Sequence, residues 1–305
     1  MDFIKVIDII GRVLKKYTKI PYLTRMLFLY KDKLVFKKLS KYYSQELDVS
    51  STDDSNKTNL VQKNSIIWTG WLQGEENAPD MVKYCLEKLR ENSDGHQVVV
   101  ISEENLNEFL PNLSSSILEK YHRGNIIPAH FMDLIRIKLL QKYGGAWFDA
   151  TILVNKKISK RLFEEEFYSY KSKSGPWHNN PADSKWSSFL LVAKAGNYLI
   201  TLVDNLLDRY WEVEVKAVDY FLLDYSIQYV YAHDKSAAKY VDNVPVKREN
   251  VFVLMDVLRD EYNDQNEKRY TEYTQTQSIF KLTYKGKFAD NSMMDHLLEG
   301  KEKNG

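Results

Sequence analysis

Asp133, Arg136 and Asp149 are the residues whose types and spacing suit polar chemistry inside an apolar surround. The first two lie three apart in residues 129–143, where Phe131, Leu134, Ile135, Leu139 and Leu140 recur at helical spacing. Residues three apart share a helix face, so the pair is expected either to close on itself or, where buried, to be answered by a further partner. Asp149 interrupts an apolar run, residues 146–154, that reads as a buried central strand. A carboxylate there is costly unless a cation, a metal or a ring of hydroxyl donors meets it. Near a strand end of an α/β sheet, such a residue marks a ligand site. Alternation along that strand puts Trp147, Asp149 and Thr151 on one face.

Several elements must position these groups. Pro128 suits the first turn of the helix, and Gly144 and Gly145 stop it. Upstream, residues 65–70 form a short apolar strand ending at Gly70, a helix covers 80–91, and residues 97–102 form a second buried strand. This β-loop-α-β order begins a nucleotide-binding α/β sheet. Trp68 is expected either in the core or stacked on a nucleotide base. A polar helical connection spans 103–125, and strands are expected at 163–171 and 186–193. The loop at 173–181 carries Trp177 and His178. Trp186, Ser187 and Ser188 suit an acceptor pocket, since sugars offer apolar faces to aromatics and hydroxyls to polar groups; a buried tryptophan beside two capping serines is the alternative. A helix covers 197–212, and Asp219, opening the next, either caps it or points into the cleft.

Composition narrows the class. Of 305 residues, 44% are hydrophobic and 13% aromatic, enough for a large core. Lysine and arginine (43) nearly cancel aspartate and glutamate (42), which argues against nucleic acid as a partner. The first 41 residues differ, with eleven Lys or Arg against three acids. There Ile4, Ile7, Ile10 and Leu14 share one helical face, and Leu23, Met26, Leu27 and Tyr30 another, so two basic amphipathic helices broken near Pro21 are expected. Such an arm either lies on an anionic membrane surface or packs on the main domain with a solvated basic face. Polar residues 50–59 read as a linker, dividing the chain into an arm at 1–60 and a domain at 61–305. Cys85 is the sole cysteine, Asp2, Lys5 and Asp8 interrupt any signal-peptide core, and no run of 18 apolar residues occurs. The expected location is the cytoplasm, or peripherally the inner face of the plasma membrane.

Asp-x-x-Arg at 133–136, a helix ending in Gly144-Gly145, then Trp147-Phe148-Asp149-Ala150-Thr151 resembles the donor site of GT-A-fold glycosyltransferases. It is most similar to the capsular polysaccharide synthesis proteins, relatives of the family 32 mannosyltransferases and the clostridial glucosylating toxins. The IWTGWLQGEENAP block at 67–79 carries the same likeness, and Lys281-Leu282-Thr283 resembles the closing block. The resemblance implies an α/β, Rossmann-like mixed sheet flanked by helices, and a retaining hexosyltransferase moving a sugar from a nucleotide-sugar, UDP-sugar being favoured, to a growing surface polysaccharide or polyprenyl-diphosphate-linked glycan. It implies a donor site built from Trp68, Gly70, Asp133, Arg136, Gly144, Gly145, Asp149 and Lys281. It further implies contact of Asp219 with the acceptor or reacting sugar, and Mn²⁺ or Mg²⁺ held by Asp149, Thr151 and His296. Relatives carry Asp-x-Asp where this chain has Asp149 and Thr151, so the metal-binding half of the motif is altered. A catalytically silent sugar-nucleotide or glycan-binding protein is the alternative; a two-metal phosphoesterase is disfavoured by the lack of a His/Asp cluster.

Overall fold

The computed structural model describes residues 3–18, 20–45, 64–175 and 180–302. The expected linker, Trp177 and His178 lie outside these residues, as does the proposed boundary near residue 60.

Helices α1 (Phe3–Tyr17) and α2 (Pro21–Leu39) come first. They are followed by β1 (Ile67–Gly70), α3 (Asp80–Glu91), β2 (Val98–Ile101), α4 (Leu106–Phe109), α5 (Ser115–His122) and α6 (Pro128–Tyr143). Next are β3 (Gly145–Phe148), β4 (Ile152–Val154), β5 (Phe167–Ser169), β6 (Lys171–Ser172) and β7 (Leu190–Ala193). The chain continues through α7 (Tyr198–Val213), α8 (Leu222–His233), α9 (Lys235–Asp242), β8 (Val246–Lys247), α10 (Leu254–Arg259), α11 (Asp264–Thr276), β9 (Ile279–Lys281) and α12 (Met293–Glu302). No helix among the described residues is long and apolar enough to cross a membrane.

Five strands form the central sheet in the order β2-β1-β3-β7-β5. The first three run parallel, while β7 runs antiparallel to both β3 and β5, so the sheet is mixed as expected. Its central strands bury both faces, and Ala146, Trp147, Phe148, Leu191 and Val192 are almost inaccessible. That double burial is why these stretches read as continuous apolar runs. Helices α6, α7 and α8 pack one after another beside the sheet and, with the buried residues of α2, close the main core.

Two expectations about strands change. The apolar run at 146–154 is two strands, because the chain turns after Phe148: the Ile152 amide donates to the Asp149 carbonyl at 2.8 Å. Asp149 and Thr151 therefore belong to a tight turn, and strand alternation does not govern them. Of residues 186–193, only Leu190–Ala193 is strand; Trp186 precedes it, packed in the core.

The Gly-Gly pair makes the helix-to-strand junction. Gly145 has φ +95°, and a Cβ built there would lie 2.3 Å from the Ile66 carbonyl oxygen, which accepts the β1-to-β3 bond from the Ala146 amide. Both the left-handed backbone and the close approach require glycine. Gly145→Ala is expected to cost ~3 kcal/mol or more, read as a large fall in melting temperature or as loss of soluble protein.

Candidate active site

The parallel strands β1 and β3 end side by side, and beyond their C-terminal ends lies a cleft of about 340 Å³. Asp133, Arg136, Asp149, Thr151, Ser188 and Asp224 supply its polar lining. Gly70, Trp71, Met132, Trp147, Tyr220 and Tyr284 supply much of the rest. This is where an open α/β sheet receives ligands.

Asp149 is the hub. Arg136 approaches one carboxylate oxygen at 3.2 Å, and the Trp147 indole N–H donates to that oxygen at 2.9 Å. The Lys281 ammonium donates to the other oxygen at 2.9 Å and to the Thr151 hydroxyl at 2.6 Å. Burial alone pushes an Asp149 carboxyl up; the Lys281 and Arg136 charges and the indole bond together overcome that and bring it down to about 2. Asp149 is therefore a firm anion at neutral pH.

Arg136 is shared. Its guanidinium lies 3.2 Å from Asp133, one turn back on α6, donates to the Ser188 carbonyl, and stacks over the Trp147 ring with its carbon 5.0 Å from the ring centre. Only 8% of the side chain is exposed, and its Nε is buried with no hydrogen-bond partner among the described residues. Trp71 Nε1, at the cleft, is likewise buried without a partner. Burial raises the Asp133 carboxyl, with the Arg136 charge acting against it.

Lys281 reaches the site through the sheet. Strand β9 pairs antiparallel with β4, aligning Lys281 with Ile152, and the Leu282 amide donates to the Thr151 carbonyl at 2.9 Å. A residue 132 positions away in sequence thus meets Asp149 because Asp149 lies in the turn that leads into β4, beside the end of β9.

Asp133, Arg136, Asp149, Thr151, Ser188, Gly70 and Lys281 are thereby brought together, as the sequence suggested. Others are not. Trp68 is fully buried, donates from its indole to the Gly144 carbonyl at 2.9 Å and packs edge-on against Phe109; its ring is core and has no face for a base. Gly144 and Gly145 serve the backbone junction and do not line the cleft. Trp186 is buried and donates to Asp224 at 2.9 Å, and the Ser187 carbonyl accepts from Ser169, so both support the wall from behind. Asp219 caps the Phe221 amide at 3.0 Å and pairs with Lys31 of α2 at 2.9 Å; it ties the arm to the domain instead of entering the cleft. His296 stacks on Tyr262 with ring centres 3.6 Å apart, outside the cleft lining.

Asp224 is the residue the sequence reading passed over. It stands in the first turn of α8, 6% exposed, and burial pushes it up to about 7 despite the Trp186 bond. The signal was a carboxylate among Leu222, Leu223 and Ile227 on an otherwise apolar helix face. Tyr220 and Tyr284 gave no such signal, since exposed tyrosines are common in loops.

The same geometry tests the expected divalent cation. Both Asp149 oxygens are already engaged by cations and an indole, the Thr151 hydroxyl accepts from Lys281, and the described residues contain no group of three or more His, Cys, Asp or Glu able to hold a metal. A hard ion such as Mn²⁺ or Mg²⁺ needs several free oxygen ligands. The residues present do not fit it: the Lys281 ammonium already bridges Asp149 and Thr151.

The Asp224 shift has a stability consequence. Its folded value lies above the ordinary 3.8, so its contribution is fully present below about pH 4 and is lost progressively as pH rises to about 7. Asp224→Asn, whose side-chain oxygen still accepts from Trp186, is expected to flatten that decline in urea titrations across the range.

In solved structures, the chain is similar to the PaToxG glycosyltransferase, at 11% identity over 85% of this chain and 99% of that one, with a TM-score of 0.39. It is also similar to a glycosyltransferase involved in glycosylation of the major capsid of PBCV-1, at 12% identity over 77% and 98% of the two chains, with a TM-score of 0.37. No curated protein matches it. A family model described as capsular polysaccharide synthesis protein matches residues 15–298. That span takes in the cleft, α2 and the last turn of α1, and the chain therefore belongs to the capsular polysaccharide synthesis protein family.

Proposed function

We propose that this protein is a glycosyltransferase with a GT-A-like domain, transferring a hexose from a nucleotide-sugar, UDP-sugar being favoured, to a capsular or other surface glycan. The observation that carries this reading is the Asp133–Arg136–Asp149–Lys281 cluster beyond the ends of β1 and β3, with two buried, unpartnered donors, Arg136 Nε and Trp71 Nε1. Membership of the capsular family supports it.

Sugar transfer needs charge neutralisation for a departing diphosphate and groups that hold the ring as it becomes cation-like. Arg136 provides a fixed cation and Lys281 a movable one, and on this reading they take over the work that Mn²⁺ or Mg²⁺ performs at an Asp-x-Asp site. Lys281 trades its bond to Asp149 for diphosphate oxygens, while Asp149 and Asp133 accept from donor hydroxyls. Asp224, whose carboxyl is held near neutrality, keeps or releases a proton at the far wall. Retention of configuration follows if attack comes on the leaving-group face, the departing phosphate oxygen taking the acceptor proton. No protein base is then required.

The acceptor side lies toward the arm. A second cavity of about 470 Å³, lined by Arg12, Phe28, Lys31 and Tyr225 among others, shares Tyr220 and Phe221 with the cleft. Aromatic rings beside paired charges suit a glycan. We assign the acceptor to this passage, a polyprenyl-diphosphate-linked glycan in the cytoplasm being the class proposed.

The test is release of nucleotide from UDP- and GDP-sugars by the purified protein, with Mn²⁺, with Mg²⁺ and with EDTA. One nucleotide is expected to be released, with EDTA costing little. Asp149→Ala and Lys281→Met are each expected to lower the rate ~10²–10³-fold. Binding of the nucleotide-sugar without turnover, even with glycan acceptors added, would instead establish a binding protein.

A further inference from the structure

Helix α1 turns Ile4 and Ile7 inward as spacing suggests but leaves Ile10 outside, and α2 turns Leu23, Met26 and Tyr30 outward against that expectation. On α2 the inward face is Thr24, Phe28, Lys31, Val35 and Leu39, while Leu23, Met26 and Tyr30 stand about half exposed. On α1 the inward stripe is Ile4, Ile7 and Gly11; Gly11 has no side chain because the Phe28 ring occupies the space, 2.7 Å from where a Cβ would be. Phe3, Ile9, Ile10, Val13 and Tyr17 are left outside. At about 100° per residue these five fall on one arc of α1, with Lys5, Arg12 and Lys16 along its edge. Among the described residues, eleven large hydrophobics are exposed between Phe3 and Tyr30, against seven in the remainder.

Ion pairing inside the arm sharpens the contrast. Asp8 pairs with Lys31 at 2.9 Å and also with Arg12. Asp32 accepts from the Tyr225 hydroxyl at 2.7 Å. The described carboxylates of the arm are thus turned inward, and the outer face is apolar with cations around it. Two copies of such a face would bring like charges together. An anionic lipid surface satisfies both features, since acyl chains take the apolar stripe and headgroups take the lysines.

We infer that the outer face of the α1–α2 hairpin is a docking surface for an anionic phospholipid bilayer, lying in the plane of the interface. The hairpin is fastened to the cleft wall: Lys31, only 5% exposed, joins Asp8 to Asp219, and Arg25 meets Asp183 with both nitrogens at 3.2 and 2.7 Å. Docking therefore holds the Tyr220–Phe221 passage at a set distance from the bilayer. In this use it rests on the reading of a lipid-borne acceptor, whereas lipid binding itself is independent of it.

The experiment is flotation of the 305-residue chain with phosphatidylcholine vesicles, with and without phosphatidylglycerol, at low and high NaCl. At least ~10-fold enrichment on the anionic vesicles at low salt is expected, falling at high salt. Ile10→Ser with Val13→Ser, and separately Lys5→Glu with Lys16→Glu, should each abolish it while melting temperature is retained, as these side chains are exposed. Equal flotation on both vesicle types, or a dimer by light scattering that the serine pair dissociates, overturns the inference. Nucleotide release measured on the same preparations separates the two ideas. Flotation lost with release intact sinks only the membrane surface, and release absent with flotation intact sinks only the transferase.

Discussion

Desolvation of one carboxylate is the constraint to which the site answers. Asp149 follows the end of β3 at a position where most of its carboxylate is withdrawn from solvent, and an unpaired charge there is penalised. Two cations meet it, and each comes from a different element: Arg136 from the helix just before the strand, Lys281 from a strand 132 residues later. Neither partner is self-sufficient. Arg136 is itself buried and needs Asp133, Trp147 and the Ser188 carbonyl around it. The result is a preorganised set of alternating charges whose removal one at a time leaves another group buried and uncompensated.

That network accounts for a hydroxyl, and not a carboxylate, at Thr151. A carboxylate at Thr151 would add a second negative charge and invite a divalent ion; a hydroxyl accepts one hydrogen bond from Lys281 and leaves the local charge near balance. A lysine is a compact point charge on a flexible stem, so it exchanges a protein oxygen for a ligand oxygen without rebuilding the site. The fixed orientation is left to Arg136, whose planar fork is held by three neighbours.

A second buried ion cluster does for the arm what the first does for the cleft. Lys31 between Asp8 and Asp219 joins α1, α2 and the loop that carries Tyr220 and Phe221. Losing the lysine would leave Asp219, 9% exposed, without its cation and Asp8 with Arg12 alone. The arm is therefore a structural wall of the second cavity, and Val35 and Leu39 at its far end belong to the main core.

How much of this was legible in the sequence follows from how local each signal is. Helix α6, the glycine junction, strands β1 to β3 and the two arm helices were readable, because turn chemistry and apolar period act within a few residues. Asp133, Arg136 and Asp149 were readable as a costly exception inside an apolar run. The sequence by itself determined most of the elements around the cleft and the presence of a costly, partly buried anion. Tertiary structure alone decided which cation meets Thr151, that Trp68 belongs to the core, that Asp219 serves the arm and Asp224 the cleft, and which apolar face of the arm is turned out. Those outcomes depend on the register of β9 on β4 and on packing between elements distant in the chain, and period and composition carry no information about either.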